Sequence, residues 1–184
     1  MSAEAFQEKA HECLADIFGA DAVSREFSID TGATDVFNCN AGYLPRLDLA
    51  MGPFNLTPER DKNTRLIREA ANNWFIQSLI KIAENQNGGF VMNKNPRCLL
   101  SIEIEFSGSS KLIMGDFTNA SMMGHVGLVI GPSKGDIMNR ILCVQQYVDT
   151  LRQLEKADPS LFMNVACIDE ITFWDILKTF SKRV

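Results

Sequence analysis

Glu103 and Glu105 stand two residues apart in the apolar run Cys98-Leu-Leu-Ser-Ile-Glu-Ile-Glu-Phe106, which otherwise has the composition of a buried strand. Alternate side chains of a strand share a face, so Cys98, Leu100, Ile102, Ile104 and Phe106 are expected on one side and Ser101, Glu103 and Glu105 on the other. The two carboxylates then converge. Like charges held together on so apolar a strand cost free energy unless a cation, a base or a shared proton compensates. A third carboxylate has a matching setting in Tyr43-Leu-Pro-Arg-Leu-Asp-Leu-Ala-Met51. There Leu47 and Leu49 are expected on the core face, leaving Asp48 on the opposite face with Arg46 beside it. Hard oxygen ligands borne on strands suit Mg²⁺ or Mn²⁺. Directly after the glutamate strand, Ser109-Ser110-Lys111 opens a helix, where free N–H groups and a lysine make a corner suited to a phosphate. Metal-assisted chemistry on a phosphate ester fits this set.

Each of these residues also has a plain structural role open to it. Asp48 could pair with Arg46 or Arg97, Glu103 and Glu105 could line the solvent face of a sheet edge, and Ser109 could be an ordinary helix cap beside an exposed lysine. Other chemistries find less support. His11 and His125 lie far apart with no H-x-x-x-H pattern, which speaks against zinc and against a Ser-His-Asp triad. The Gly131-Pro-Ser-Lys-Gly135 turn lacks P-loop spacing, and no G-x-G-x-x-G occurs. Five cysteines, an odd number without C-x-x-C spacing, read as reduced thiols in the core. A glycosidase using Glu103 and Glu105 ranks last, because the chain is short for a barrel and aromatic residues make up 9%.

The elements that must hold these groups follow from periodicity. Phe6, Ala10, Cys13 and Ile17 predict a first helix over residues 3 to 18, stopped by Gly19. Three short β-type runs follow, residues 23 to 29, 35 to 39 and 43 to 51, separated by turn signals, as in an antiparallel meander. Thr57 and Pro58 then open a long helix over 58 to 86. After the glutamate strand come a helix to Met123, a strand over 126 to 130, a helix from Ile137 to about Lys156, a strand over 161 to 168, and a last helix capped by Asp169. The fold class expected is α/β, a mixed sheet flanked by helices, in one domain spanning residues 1 to 184.

Composition bounds the partners. With 46% hydrophobic and 22% charged residues the chain is that of a globular protein, and no run is long enough to span a membrane. The first residues lack the basic and apolar regions of a signal peptide, so a cytoplasmic location is expected. A net charge of −5 opposes broad attraction to nucleic acid but leaves room for a local groove. Basic residues cluster at Arg60, Lys62, Arg65 and Arg68 and at Lys178, Lys182 and Arg183, where a solvated helix face and tail are the simpler expectation.

In this order of elements and acids the chain resembles the PD-(D/E)xK nuclease superfamily, the restriction-endonuclease-like fold. Its core is a helix, a meander carrying Asp and then (D/E)-x-K, a crossover helix and a further strand, with the helix over 58 to 86 as an insertion here. Pro45-Arg46-Leu47-Asp48 stands for the first half of the motif and Glu103-Ile104-Glu105 for the second. Proline and Asp48 are not adjacent, and Glu105 stands where lysine is usual; some restriction enzymes carry Glu-x-Glu there, and other members place the lysine on the next helix, where Lys111 stands. The resemblance implies a Mg²⁺- or Mn²⁺-dependent nuclease cleaving DNA, with Asp48, Glu103 and the carbonyl of Ile104 as metal ligands. Glu105 or Lys111 would position or deprotonate the attacking water, and a homodimer would serve to cut two strands. In parts of the superfamily a helix-borne glutamate approaches the site, a place open here to Glu8 or Glu12, for which surface charges are the simpler expectation. The alternative it implies is a catalytically inactive nuclease-fold protein that binds nucleic acid or regulates.

Overall fold

The computed structural model describes residues 1–28, 46–55 and 60–182, with the side chains of residues 60–63 outside that description. The strand expected over 35 to 39, the start of the one expected from Tyr43, and the Thr57/Pro58 helix start lie outside the described residues.

Helix α1 (Ala3–Phe18) begins where the Ser2 hydroxyl accepts from Ala5 N at 3.2 Å and buries Phe6, Gln7, Ala10 and Leu14 along one stripe. Gly19, at φ 97°, ends it by donating to the Ala15 carbonyl. Strands β1 (Val23–Ser28) and β2 (Arg46–Met51) are antiparallel to each other, and β2 is antiparallel to β3 (Cys98–Ile104). Helix α4 (Ser110–Met123) then crosses to β4 (Gly124–Gly131), and α5 (Ile137–Gln153) crosses to β5 (Val165–Asp169), both pairings parallel. The result is a five-stranded mixed sheet in the order β1-β2-β3-β4-β5. It is an α/β fold, as expected.

The run expected as one long helix is two, α2 (Arg60–Ala70) and α3 (Trp74–Asn87). Asn73 adopts an extended conformation and its side chain accepts from Ile76 N at 2.9 Å, so it caps a new helix. Gln77 Nε2 secures the break by donating to the Ala71 carbonyl at 2.8 Å. The final strand is also shorter than predicted, because residues 161–164 form turns before Val165. Helix α6 (Glu170–Ser181) is capped as expected by Asp169, which accepts from Thr172 N at 2.7 Å.

Two apolar layers sandwich the sheet. Phe6, Leu49, Phe75, Leu79, Leu100, Ile102, Leu128 and Phe173 join α1, α3 and α6 to one face, with Phe6 touching Phe173 and Trp174 at ring distances of 5.6 and 5.3 Å. Ile113, Phe117, Val129, Ile141, Val144 and Val165 join α4 and α5 to the other. All seven residues of β3 are buried, the pattern of a central strand covered on both sides. On the outer side of β5, the Gln86 amide takes the place of a neighbouring strand: Oε1 accepts from Cys167 N at 2.9 Å and Nε2 donates to the Cys167 carbonyl at 2.7 Å. Among the described residues no helix is long and apolar enough to cross a membrane.

Small residues set how closely α4 lies on the sheet. A β-carbon on Gly127 would stand 2.9 Å from the Ala120 backbone, and one on Gly124 would stand 2.3 Å from the Ser101 hydroxyl. Ser101 Oγ donates to the Ala120 carbonyl at 2.6 Å, fastening helix to strand. Gly127→Ala must therefore push α4 outward, and chemical denaturation is expected to show a loss of about 1–3 kcal/mol. Wild-type stability in that variant would contradict the tight seating.

Candidate functional site

The β2–β3 ladder stops at Leu49↔Ile102. Beyond that point side chains take over from backbone pairing. Ile104 N donates to Asp48 Oδ2 at 2.7 Å, and Asp48 N makes a longer contact of 3.4 Å to Glu103 Oε2. The carboxylates thus stand in the fork where two strands part, close to the carboxyl end of β3.

The neighbouring strand is distorted at the same level. The β1–β2 register runs to Arg25↔Leu49, omits Glu26 and Asp48, and resumes at Phe27↔Leu47. Glu26 has φ 48°, the left-handed region that a glutamate rarely enters. Its carboxylate accepts from Gln7 Nε2 at 2.9 Å and pairs with Arg46 at 2.8 Å, while Gln7 Nε2 also donates to the Asp48 carbonyl at 2.8 Å. Leu47 and Leu49 are both fully buried, but in different clusters. Leu49 packs in the α1 layer, whereas Leu47 joins Phe27, Ala50, Cys98 and Met123 in a separate cluster.

Helix α4 closes the fork from the other side. Asp116 and Asn119, three residues apart, present one face of the helix to the carboxylates. Glu103 is 4% exposed and its Oε1 has no hydrogen-bond partner. Burial, reinforced by the charge of Asp48, pushes its carboxyl up to about 9, against the relief given by a hydrogen bond with Asn119. Asp116 Oδ2 is likewise buried without a partner, and burial followed by the charges of Glu105 and Asp48 raises this carboxyl to about 7. Asp48 is raised too, first by burial, with the Ile104 N–H acting in the opposite direction.

Glu105 lies one residue past the end of β3, and its own N–H donates to the Ile130 carbonyl at 2.9 Å. Its carboxylate accepts from Ser107 N at 2.8 Å and Gly108 N at 2.5 Å. It sits so tightly over Gly108 that a β-carbon there would lie 2.1 Å from Oε2. Asp48, Glu103, Ile104 and Glu105 are therefore brought together. Lys111 is exposed in the first turn of α4 and makes no hydrogen bond or ion pair among the described residues. Ser109 is the N-cap residue of α4, without a side-chain cap bond. Glu8 and Glu12 are exposed on α1, and Gln7 is the residue of that helix that reaches the site.

Sequence reasoning missed Asp116, Asn119, Gln7 and Glu26. Two of them left a signal: Gln7 falls in the buried stripe between Phe6 and Ala10, and Asp116 stands beside the buried positions Ile113 and Phe117. A polar residue on or beside a core stripe has to find a partner. Glu26 left none, because its role depends on a backbone kink.

Among the described residues no three His, Cys, Asp or Glu side chains are gathered as a ready-made metal cage. The donor chemistry nevertheless fits a hard divalent cation: the ligands are oxygens, and two buried carboxylate oxygens lack partners. No protein-family model, curated protein or solved structure matches this chain.

The raised carboxyls give stability a pH dependence of definite sign. Between the ordinary value of 4.5 and about 9, Glu103 keeps in the folded state a proton that the unfolded chain has lost. Its contribution is complete at acid pH and disappears as pH rises through that window. Glu103→Gln retains the neutral shape, so in chelator its unfolding free energy is expected to exceed wild type at pH 8 by at least about 1 kcal/mol. Equal pH profiles for the two proteins would refute the buried, proton-holding state.

Proposed function

We propose that this chain is a Mg²⁺- or Mn²⁺-dependent nuclease of the PD-(D/E)xK kind, hydrolysing DNA phosphodiester bonds at the β2–β3 fork. The observation that carries this reading is Glu103, a buried carboxyl whose Oε1 has no partner while its Oε2 faces the Asp48 N–H at the point where the strands separate. The order α1, antiparallel β1-β2-β3, crossover α4 and parallel β4 supports it, being the order of that superfamily's core.

Asp48 and Glu103 would hold the cation, with the Ile104 carbonyl as a further oxygen ligand. When bound, the cation lowers the pKa of water and offsets charge on the scissile phosphate. Glu105, fixed by the Ser107 and Gly108 N–H groups, orients or takes the proton of the attacking water. Asp116 is placed to take that proton on from Glu105, since the two carboxyls share a hydrogen bond. Cutting both strands calls for two copies of so small a site, and the four cysteines among the described residues, all free, accord with a cytoplasmic setting.

A second reading has its own observation. Lys111 makes no ion pair or hydrogen bond to the carboxylates among the described residues, and Glu105 is already engaged by two backbone N–H groups. That arrangement favours a catalytically inactive nuclease-fold protein that binds nucleic acid or regulates. Calorimetric titration with Mn²⁺ and a cleavage assay separate the two. The nuclease reading expects Mn²⁺ binding that Asp48→Ala removes, and DNA cleavage that Glu103→Ala reduces by at least about a hundredfold. Full cleavage by Glu103→Ala rejects the assignment, whereas absence of both metal binding and cleavage in the wild type selects the second reading.

A further inference from the structure

Lys9, near one end of the chain, and Lys178 and Lys182, near the other, meet at one groove away from the acidic fork. Helices α1 and α6 run side by side in the same direction, shown by the contacts of Phe6 with Phe173 and of Phe18 with Phe180. Between them lies an open cavity of about 390 Å³, floored by Cys13, Ile17, Trp174 and Leu177. Lys9, Lys178 and Lys182 line it as well, and among the described residues no carboxylate does. Lys9 Nζ sits 5.3 Å from the Trp174 ring centre, so one cation is already held over the aromatic floor. In a chain of net charge −5, a groove whose described lining has three lysines and no carboxylate gathers positive charge locally.

We infer that this groove docks an acidic amphipathic helix of a partner protein. The floor residues are spaced three or four apart on two parallel helices, the arrangement into which a third helix sets its own apolar ridge. Lys178 and Lys182, both exposed, can lay their stems along the apolar walls and offer their ammonium groups to glutamates flanking the partner's apolar stripe. A flat bilayer cannot enter a concave groove. A nucleic-acid strand would find a single tryptophan, one face of it taken by Lys9, in place of a row of stacking platforms.

The test uses the full chain and two synthetic helical peptides of about four turns. Both carry leucine at i, i+3, i+4 and i+7; one has flanking glutamates, the other lysines. Fluorescence anisotropy of the labelled acidic peptide is expected to show saturable binding that weakens with salt. Lys178→Glu with Lys182→Glu should reduce affinity at least about tenfold, because attraction at the rim becomes repulsion. Lys9→Gln should cause a smaller loss, and Mn²⁺ titration of each variant checks that the acidic fork is unchanged. Equal binding of the basic peptide, no binding of the acidic one, or indifference to lysine reversal overturns the inference. So does a single-stranded oligonucleotide that displaces the acidic peptide and loses its own binding on the same reversal.

Discussion

The separation of β2 from β3 beyond Leu49 and Ile102 is the constraint on which the rest of the site depends. A ladder that stops inside a protein leaves backbone N–H groups needing acceptors, and an unmet one would cost on the order of 1–3 kcal/mol. Here the acceptors are carboxylates: Asp48 takes the Ile104 N–H, and Glu103 faces the Asp48 N–H. The acids are therefore part of how the sheet is finished. The same bonds that satisfy the backbone fix where the charges stand, so local folding and chemical preparation are one event.

That arrangement is under electrostatic tension. Glu103 and Asp116 keep buried oxygens with no partner, and the nearby cation Arg46 is engaged by Glu26. The seating of α4 against Gly124, Gly127 and Ser101 holds Asp116 and Asn119 over the fork. A closely packed helix cannot withdraw to let water in, so the carboxylates stay protonated or wait for positive charge. Stability has been given up at one corner of a sheet that is otherwise apolar on both faces.

How much of this was legible in the sequence depended on range. The helices and most strands could be read, because their stripes and caps are local; Asp169 capping α6 is an example. The break between α2 and α3 was readable in principle from Asn72-Asn73, but the apolar pattern runs across it and hides the cap. Glu103 announced itself as a charge in a buried strand. Asp116 left only a weaker signal, since one acid beside an amphipathic helix face is ordinary until the sheet beneath it is known. Leu47 and Leu49 are buried as expected, yet they join different clusters, a division that simple alternation does not foresee where Glu26 interrupts the ladder.

The amide clip on β5 bears on how this molecule can associate. An outermost strand usually offers its free N–H and C=O groups to any other chain that passes. Gln86 occupies both groups of Cys167, and Asn87 takes the Val165 carbonyl at 3.0 Å. Both side chains belong to α3, which leaves the ribosome well before β5 does. The strand thus emerges to a waiting cover, and growth of the sheet into a neighbouring copy along that border is closed from the start. Self-association, where it occurs, has to be built from helix faces or from the β1 side.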